Sequence, residues 1–80
     1  MSSLPLVGSV EAIVTAVADA LIHGDRYHDL ALATDRGRVA VRVAAHAAPR
    51  RPAAGDRVRV HLVLGQVDRL EFLAAGPQEG

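Results

Sequence analysis

Two stretches of strict alternation most constrain what this chain can fold into. In Arg38–Ala45 the residues Val39, Val41 and Val43 alternate with Arg38, Ala40, Arg42 and Ala44. In Arg57–Val63 the residues Val58, Val60 and Leu62 alternate with Arg57, Arg59 and His61. A period of two sends each set to one side of an extended backbone, so both segments read as β-strands with one buried and one solvated face. Between them Pro49 and Pro52 bracket Arg50 and Arg51. Each proline removes a backbone donor and constrains its predecessor, which makes Ala47–Ala54 a loop rather than a helix. The span Arg36–His61 carries seven of the nine arginines against one carboxylate, Asp56.

The neighbouring segments supply partners. Tyr27–Thr34 reads as a strand with Leu30 and Leu32 on the face of His28 and Thr34, and Asp35-Arg36-Gly37 gives a turn in which Gly37 takes a left-handed position. Gly65-Gln66 suits a tight hairpin into a last strand, Val67–Leu73, which buries Leu70 and Phe72 and exposes Arg69, Glu71 and Leu73. Ser9–His23 has two readings. With period two, Val10, Ala12, Val14, Ala16 and Ala18 form a continuous apolar face. With period near four, Glu11, Thr15, Asp19 and His23 form a polar stripe on a helix capped by Ser9 and Gly24. The β-branched residues Ile13, Val14, Thr15 and Val17 favour a long bent strand, and the alanines favour a helix.

The expected fold is therefore all-β, a small five-stranded barrel. The alternative is α+β, with a helix over 9–23 packed on a four-stranded antiparallel sheet. Eighty residues make one domain. We assign 1–8 as a flexible lead-in, 9–74 as the domain and 75–80 as a flexible tail.

Closing five short strands into a barrel removes the sheet edges. The long first strand, the hairpin Y-H-D-L-A-L-A-T-D-R-G-R-V-A-V-R-V and the segment A-A-G-D-R-V-R-V-H-L-V-L-G-Q-V-D-R-L-E-F together resemble an OB-fold. The hairpin and the G-D-R-V-R-V piece also look like the TOBE modules appended to transporter ATPases. The chain departs from many OB barrels in having the Pro-Arg-Arg-Pro loop where a helix joins the third and fourth strands. The resemblance implies a ligand lying across the second and third strands, flanked by loops that hold His23, Gly24, Arg26 and Gln66. It also implies the TOBE-like alternative, an accessory module for protein interaction, oligomerisation or small-oxyanion binding.

Composition narrows the chemistry. Without cysteine there is no disulfide and no thiolate metal site. No apolar run reaches the roughly 18 residues of a membrane helix, and Met1–Val10 lacks the pattern of a signal peptide, so a cytoplasmic location is expected. The serines are Ser2, Ser3 and Ser9, with no nucleophile elbow and no phosphate-cradling glycine motif, so neither enzymatic activity nor a cofactor is expected. His23 and His28 with Asp25 and Asp29 are candidate metal ligands by residue type, but their spacing matches no tight site.

What remains is binding. Outside Arg36–His61 two arginines face eight carboxylates, so the neutral chain either separates its charges into two faces or cancels them by strand pairing. The nucleic-acid reading takes Arg38 and Arg42 for phosphates on the strand face, Arg26, Arg50 and Arg51 from the loops, and Tyr27 to stack a base of single-stranded DNA or RNA. Against it, Asp29 repels phosphate, and Ala31, Ala33, Ala40 and Ala44 offer nothing to stack on. The rival reading makes that alanine-rich face, with Val63 and Leu73, a docking surface for a second copy or a larger protein.

Overall fold

The computed structural model describes residues 7–73. They form five strands, β1 (Gly8–Ile22), β2 (Asp25–Thr34), β3 (Gly37–Ala44), β4 (Arg57–Val63) and β5 (Gln66–Phe72). All neighbours are antiparallel, in one sheet of order β3-β2-β1-β4-β5. The all-β class expected from the alternation is the one observed. The sheet is curled, since its two outermost strands, β3 and β5, approach within 8 Å between Cα atoms without forming a ladder. The expected lead-in and tail fall outside the described residues, apart from Val7 and Gly8, and Gly8 already opens β1.

The helical alternative for 9–23 is overturned, because β1 is needed by two partners at once. Its first half pairs with β4, from Gly8↔Leu62 to Ile13↔Arg57, and its second half pairs with β2, from Ile13↔Ala33 to Ile22↔Asp25. The hand-over point is a bulge between Val14 and Ala16. There the extra residue, Thr15, donates its hydroxyl to the Ala31 carbonyl at 3.1 Å. On its other edge Val14 donates its N–H to the Asp56 carbonyl at 2.9 Å and accepts from Gly55 N–H at 2.7 Å, so both of its backbone groups are satisfied. One added residue also swaps the faces of everything beyond it. Ala12 and Val14 are buried, but the expected continuation through Ala16 and Ala18 is exposed, and Val17 packs on the core instead.

The core gathers Ala12, Val14, Leu30, Leu32, Val43, Val58, Val60, Leu62 and Leu70. Val39 and Val41 are half-buried, since β3 borders the open seam. Glu71, expected on the exposed face, is half-buried because Arg59 and His61 close over it from β4. The β3–β4 connection makes one 3₁₀ turn, Ala45–Ala47, then lays Ala47 and Ala48 on the core and buries Pro52.

Two hairpins turn on an X-Gly pair with both residues at positive φ: His23 (52°) and Gly24 (84°), and Leu64 (52°) and Gly65 (79°). This is the type I′ geometry that matches the right-handed twist of paired strands. The second turn therefore centres on Leu64-Gly65 rather than on the expected Gly65-Gln66, and Gln66 opens β5 opposite Val63. Leu64 is a γ-branched residue in the left-handed region, with its side chain 77% exposed, so it carries strain without compensating burial. Leu64→Asn is expected to stabilise the domain by about 1 kcal/mol, read as a rise of roughly 4–8 °C in Tm; an unchanged Tm would show that the turn holds no such strain.

Candidate nucleic-acid interface

The registers place cross-strand rows on the outer face of β1, β2 and β3. They run Ala20–Tyr27–Ala44, Ala18–Asp29–Arg42 and Ala16–Ala31–Ala40, and then Ala33 beside Arg38. Small side chains leave this face low, so the Tyr27 ring and the Asp29–Arg42 pair stand out from it. Arg42 grips Asp29 with two parallel hydrogen bonds, Nε to Oδ1 at 2.7 Å and Nη2 to Oδ2 at 3.0 Å. Its guanidinium carbon lies 5.9 Å from the centre of the Tyr27 ring. The Arg42 hydrogen bond holds the Asp29 carboxyl below the ordinary carboxylate range, and the same bond raises Arg42.

Where β3 fails to pair with β5, a groove of about 480 Å³ opens. Tyr27, Arg42 and Ala44 line one wall, and Gly65, Gln66 and Val67 of the β4–β5 turn line the other. Residues from three separate parts of the chain thus meet at one cleft. No protein family, curated protein or solved structure matches the chain. The site has to be read from its own chemistry.

The other sequence-predicted residues are distributed differently. Arg38, at the start of β3, shares the outer face and has no carboxylate partner among the described residues. Arg26 opens the other end of β2 opposite Leu21 and is likewise unpaired among them. Arg50 and Arg51 do not project freely from their loop. Arg50 donates to Asp56 Oδ2 at 3.0 Å and stacks 4.0 Å above the centre of Phe72. Arg51 Nε donates to Asp19 Oδ1 at 3.1 Å. Asp56 also accepts from Ala53 N–H at 2.8 Å, so its carboxylate ties the loop to itself.

On the outer face of β1, β4 and β5 the charges interlock again. Arg59 reaches Glu11 at 2.9 Å and Glu71 at 3.5 Å, Arg57 lies 3.9 Å from Glu11, and His61 Nε2 sits 3.0 Å from Glu71. Five of the seven arginines in 36–61 are therefore held by carboxylates: Arg42, Arg50, Arg51, Arg57 and Arg59. Strand pairing cancels most of the basic stretch in place. The residues weighed for a metal part company, with His28 turned to Asp19 and Asp29 to Arg42. Among the described residues no cluster of three such groups is poised to hold a metal, and no helix is long and apolar enough to cross a membrane.

One cluster escaped the sequence reading. Asp19 Oδ1 lies 3.0 Å from His28 Nδ1 and also receives Arg51, beside a second groove of about 440 Å³ that Tyr27 and Arg26 help to line. Asp19 and His28 sit opposite each other across the His23-Gly24 turn, so a two-residue turn there was the available signal. Nothing local announces Arg51.

These pairs set a pH dependence with a definite sign. Asp19, Asp29, Asp56 and Glu71 are all held below their ordinary values of 3.8 and 4.5, chiefly by hydrogen bonds from Arg51, Arg42, Arg50 and His61 respectively. A depressed carboxyl stabilises the fold above its unfolded value, and that contribution is lost as pH falls through the folded one. Stability is expected to hold from neutrality down to the unfolded values and to fall below roughly pH 4, less steeply in high salt because the pairs are exposed. Urea midpoints measured across this range test it; a midpoint indifferent to acid would mean that the pairs do not persist in solution.

Proposed function

We propose that this chain is a non-catalytic, OB-like module that binds single-stranded nucleic acid in the groove between the Tyr27–Arg42 face and the β4–β5 turn. The observation that carries the reading is the meeting of Tyr27, Arg42 and Gln66 at one groove. They supply a ring to stack a base, a guanidinium to take a phosphate and an amide to meet a base edge. The strand order adds support, since β1 shared between β2 and β4, with β3 curling toward β5, is the arrangement of a partly open five-stranded barrel. Arg38 extends the same face toward a further phosphate, and Arg26 and Arg51 flank Tyr27 on its other side. Arg50, paired with Asp56 and stacked on Phe72, steadies the loop that carries Arg51. The cytoplasm is the setting that goes with this role.

Binding exchanges a carboxylate for a phosphate. Arg42 leaves Asp29, or shares itself, so the net gain at that contact is small, and the fall of affinity with salt scales with the few phosphates the arginines neutralise. Labelled short DNA and RNA oligonucleotides followed by fluorescence anisotropy at low and rising ionic strength test the reading. Salt-sensitive binding of either supports it, and the absence of binding to both at low salt sinks it.

The second reading, a TOBE-like interaction or oligomerisation module, is favoured by the self-neutralised arginines and the low alanine face. It leads to a defined oligomer in light scattering and to indifference toward oligonucleotides. A strict monomer that binds oligonucleotide counts against it.

A further inference from the structure

Tyr27 separates two grooves, and the second is built differently from the first. It lies where the β1–β2 hairpin meets the loop bearing Arg51, and Asp19, Arg26, Tyr27, His28 and Arg51 line it. Its charges do not balance, because Arg26 and Arg51 face the single carboxylate of Asp19. That carboxylate is already engaged, with Oδ1 taking both His28 Nδ1 at 3.0 Å and Arg51 Nε at 3.1 Å. Asp19 so orients two partners while leaving their remaining nitrogens open. His28 Nε2 and the terminal nitrogens of Arg51 have no partner among the described residues, and Arg26 has no carboxylate there. The His28 ring is fixed, its side chain being 11% exposed.

Two guanidinium forks and an imidazole around one cavity suit a tetrahedral anion with several terminal oxygens. A phosphate monoester fits better than a diester. It brings three unesterified oxygens and close to two charges, against the two oxygens and one charge of an internal linkage. With Nδ1 turned to Asp19, the second ring nitrogen, Nε2, is the one left to face the anion. The cost is repulsion from Asp19, which Arg26 and Arg51 offset.

We propose that this groove takes a terminal phosphate monoester, so that a strand lying along Tyr27 is recognised by its end. The proposal rests on the nucleic-acid reading above, because Tyr27 is the wall common to both grooves.

The test uses one oligonucleotide sequence in three forms: unphosphorylated, 5′-phosphorylated and 3′-phosphorylated. Inorganic phosphate serves as a fourth probe, and binding to the full chain is read by anisotropy and competition. One phosphorylated form is expected to bind about tenfold more tightly than the unphosphorylated strand, one good charge-assisted contact's worth. His28→Gln is expected to abolish that advantage. Arg26→Gln, at an exposed position, reduces it too and covers the case in which the first variant folds poorly. Inorganic phosphate is expected to erode the advantage without displacing the unphosphorylated strand. Equal affinity for all three forms overturns the terminal site and leaves the strand-binding reading standing. Failure of every form to bind overturns the strand reading instead. Inorganic phosphate shifting the Arg26 and His28 resonances in a protein that ignores all three strands makes this a free-phosphate site and overturns the strand-end assignment.

Discussion

Leu32→Ala is expected to lower the stability of the domain by about 2–5 kcal/mol. Leu32 is 1% exposed and sits opposite Val14 on one side and Val39 on the other, beside the bulge where β1 passes from β4 to β2. Truncation there loses the transfer energy of the side chain. It also leaves a cavity that cannot collapse, because the bulge is tied to the β3–β4 loop by both backbone groups of Val14. A domain of 80 residues has a total stability on the order of 4–12 kcal/mol, so the variant stands near the edge of folding. Urea unfolding should show a lowered midpoint at an unchanged slope. Leu21→Ala, at a side chain 70% exposed, is the control and should stay within about 0.5 kcal/mol of the parent. A loss below about 1 kcal/mol for Leu32→Ala would mean that this row is not the centre of the core.

Tyr27→Ala should weaken oligonucleotide binding by about 1–3 kcal/mol, the usual worth of one stacked base, which is roughly five- to 150-fold in Kd. Tyr27→Phe keeps the ring and should keep most of the affinity, which separates stacking from the phenol. Asp29→Asn should act in the opposite direction. It releases Arg42 from a bidentate partner and removes a charge that opposes phosphate, so binding tightens several-fold with a steeper dependence on salt. The opposed signs are the informative part. A general loss of fold would weaken all three variants together, whereas a surface not used for binding would leave all three at the parent's affinity.

Much of the fold could be read in advance because its signals are local. The valines of β3 and the Val58–Val60–Leu62 set of β4 alternate without a break, and alternation is a property of the strand itself. Part of the site was within reach by the same route. Asp29 and Arg42 stand equally far from the Asp35-Arg36 turn, so their pairing follows from hairpin register once that turn is accepted. What stayed hidden depends on the third dimension. The bulge at Thr15 carries no glycine to announce it, and it reverses the faces of Ala16 and Ala18. Arg50 and Arg51 looked like a free dication because Phe72 and Asp19, which hold them, lie far away along the chain.

The division of β1 between two partners also bears on how fast this chain folds. The β2–β3 and β4–β5 hairpins close through short turns and can form on the microsecond scale of local events. Neither buries a core until β1 lies along both. The β1–β4 ladder joins residues as far apart as Gly8 and Leu62, so its loop-closure entropy must be met before those contacts reward it. That ladder is the natural rate-limiting step, and substitutions at Val10 or Val60 should slow folding more than those confined to either hairpin. A chain so arranged gains its native structure in one cooperative event, with β1 as the member whose docking commits the rest.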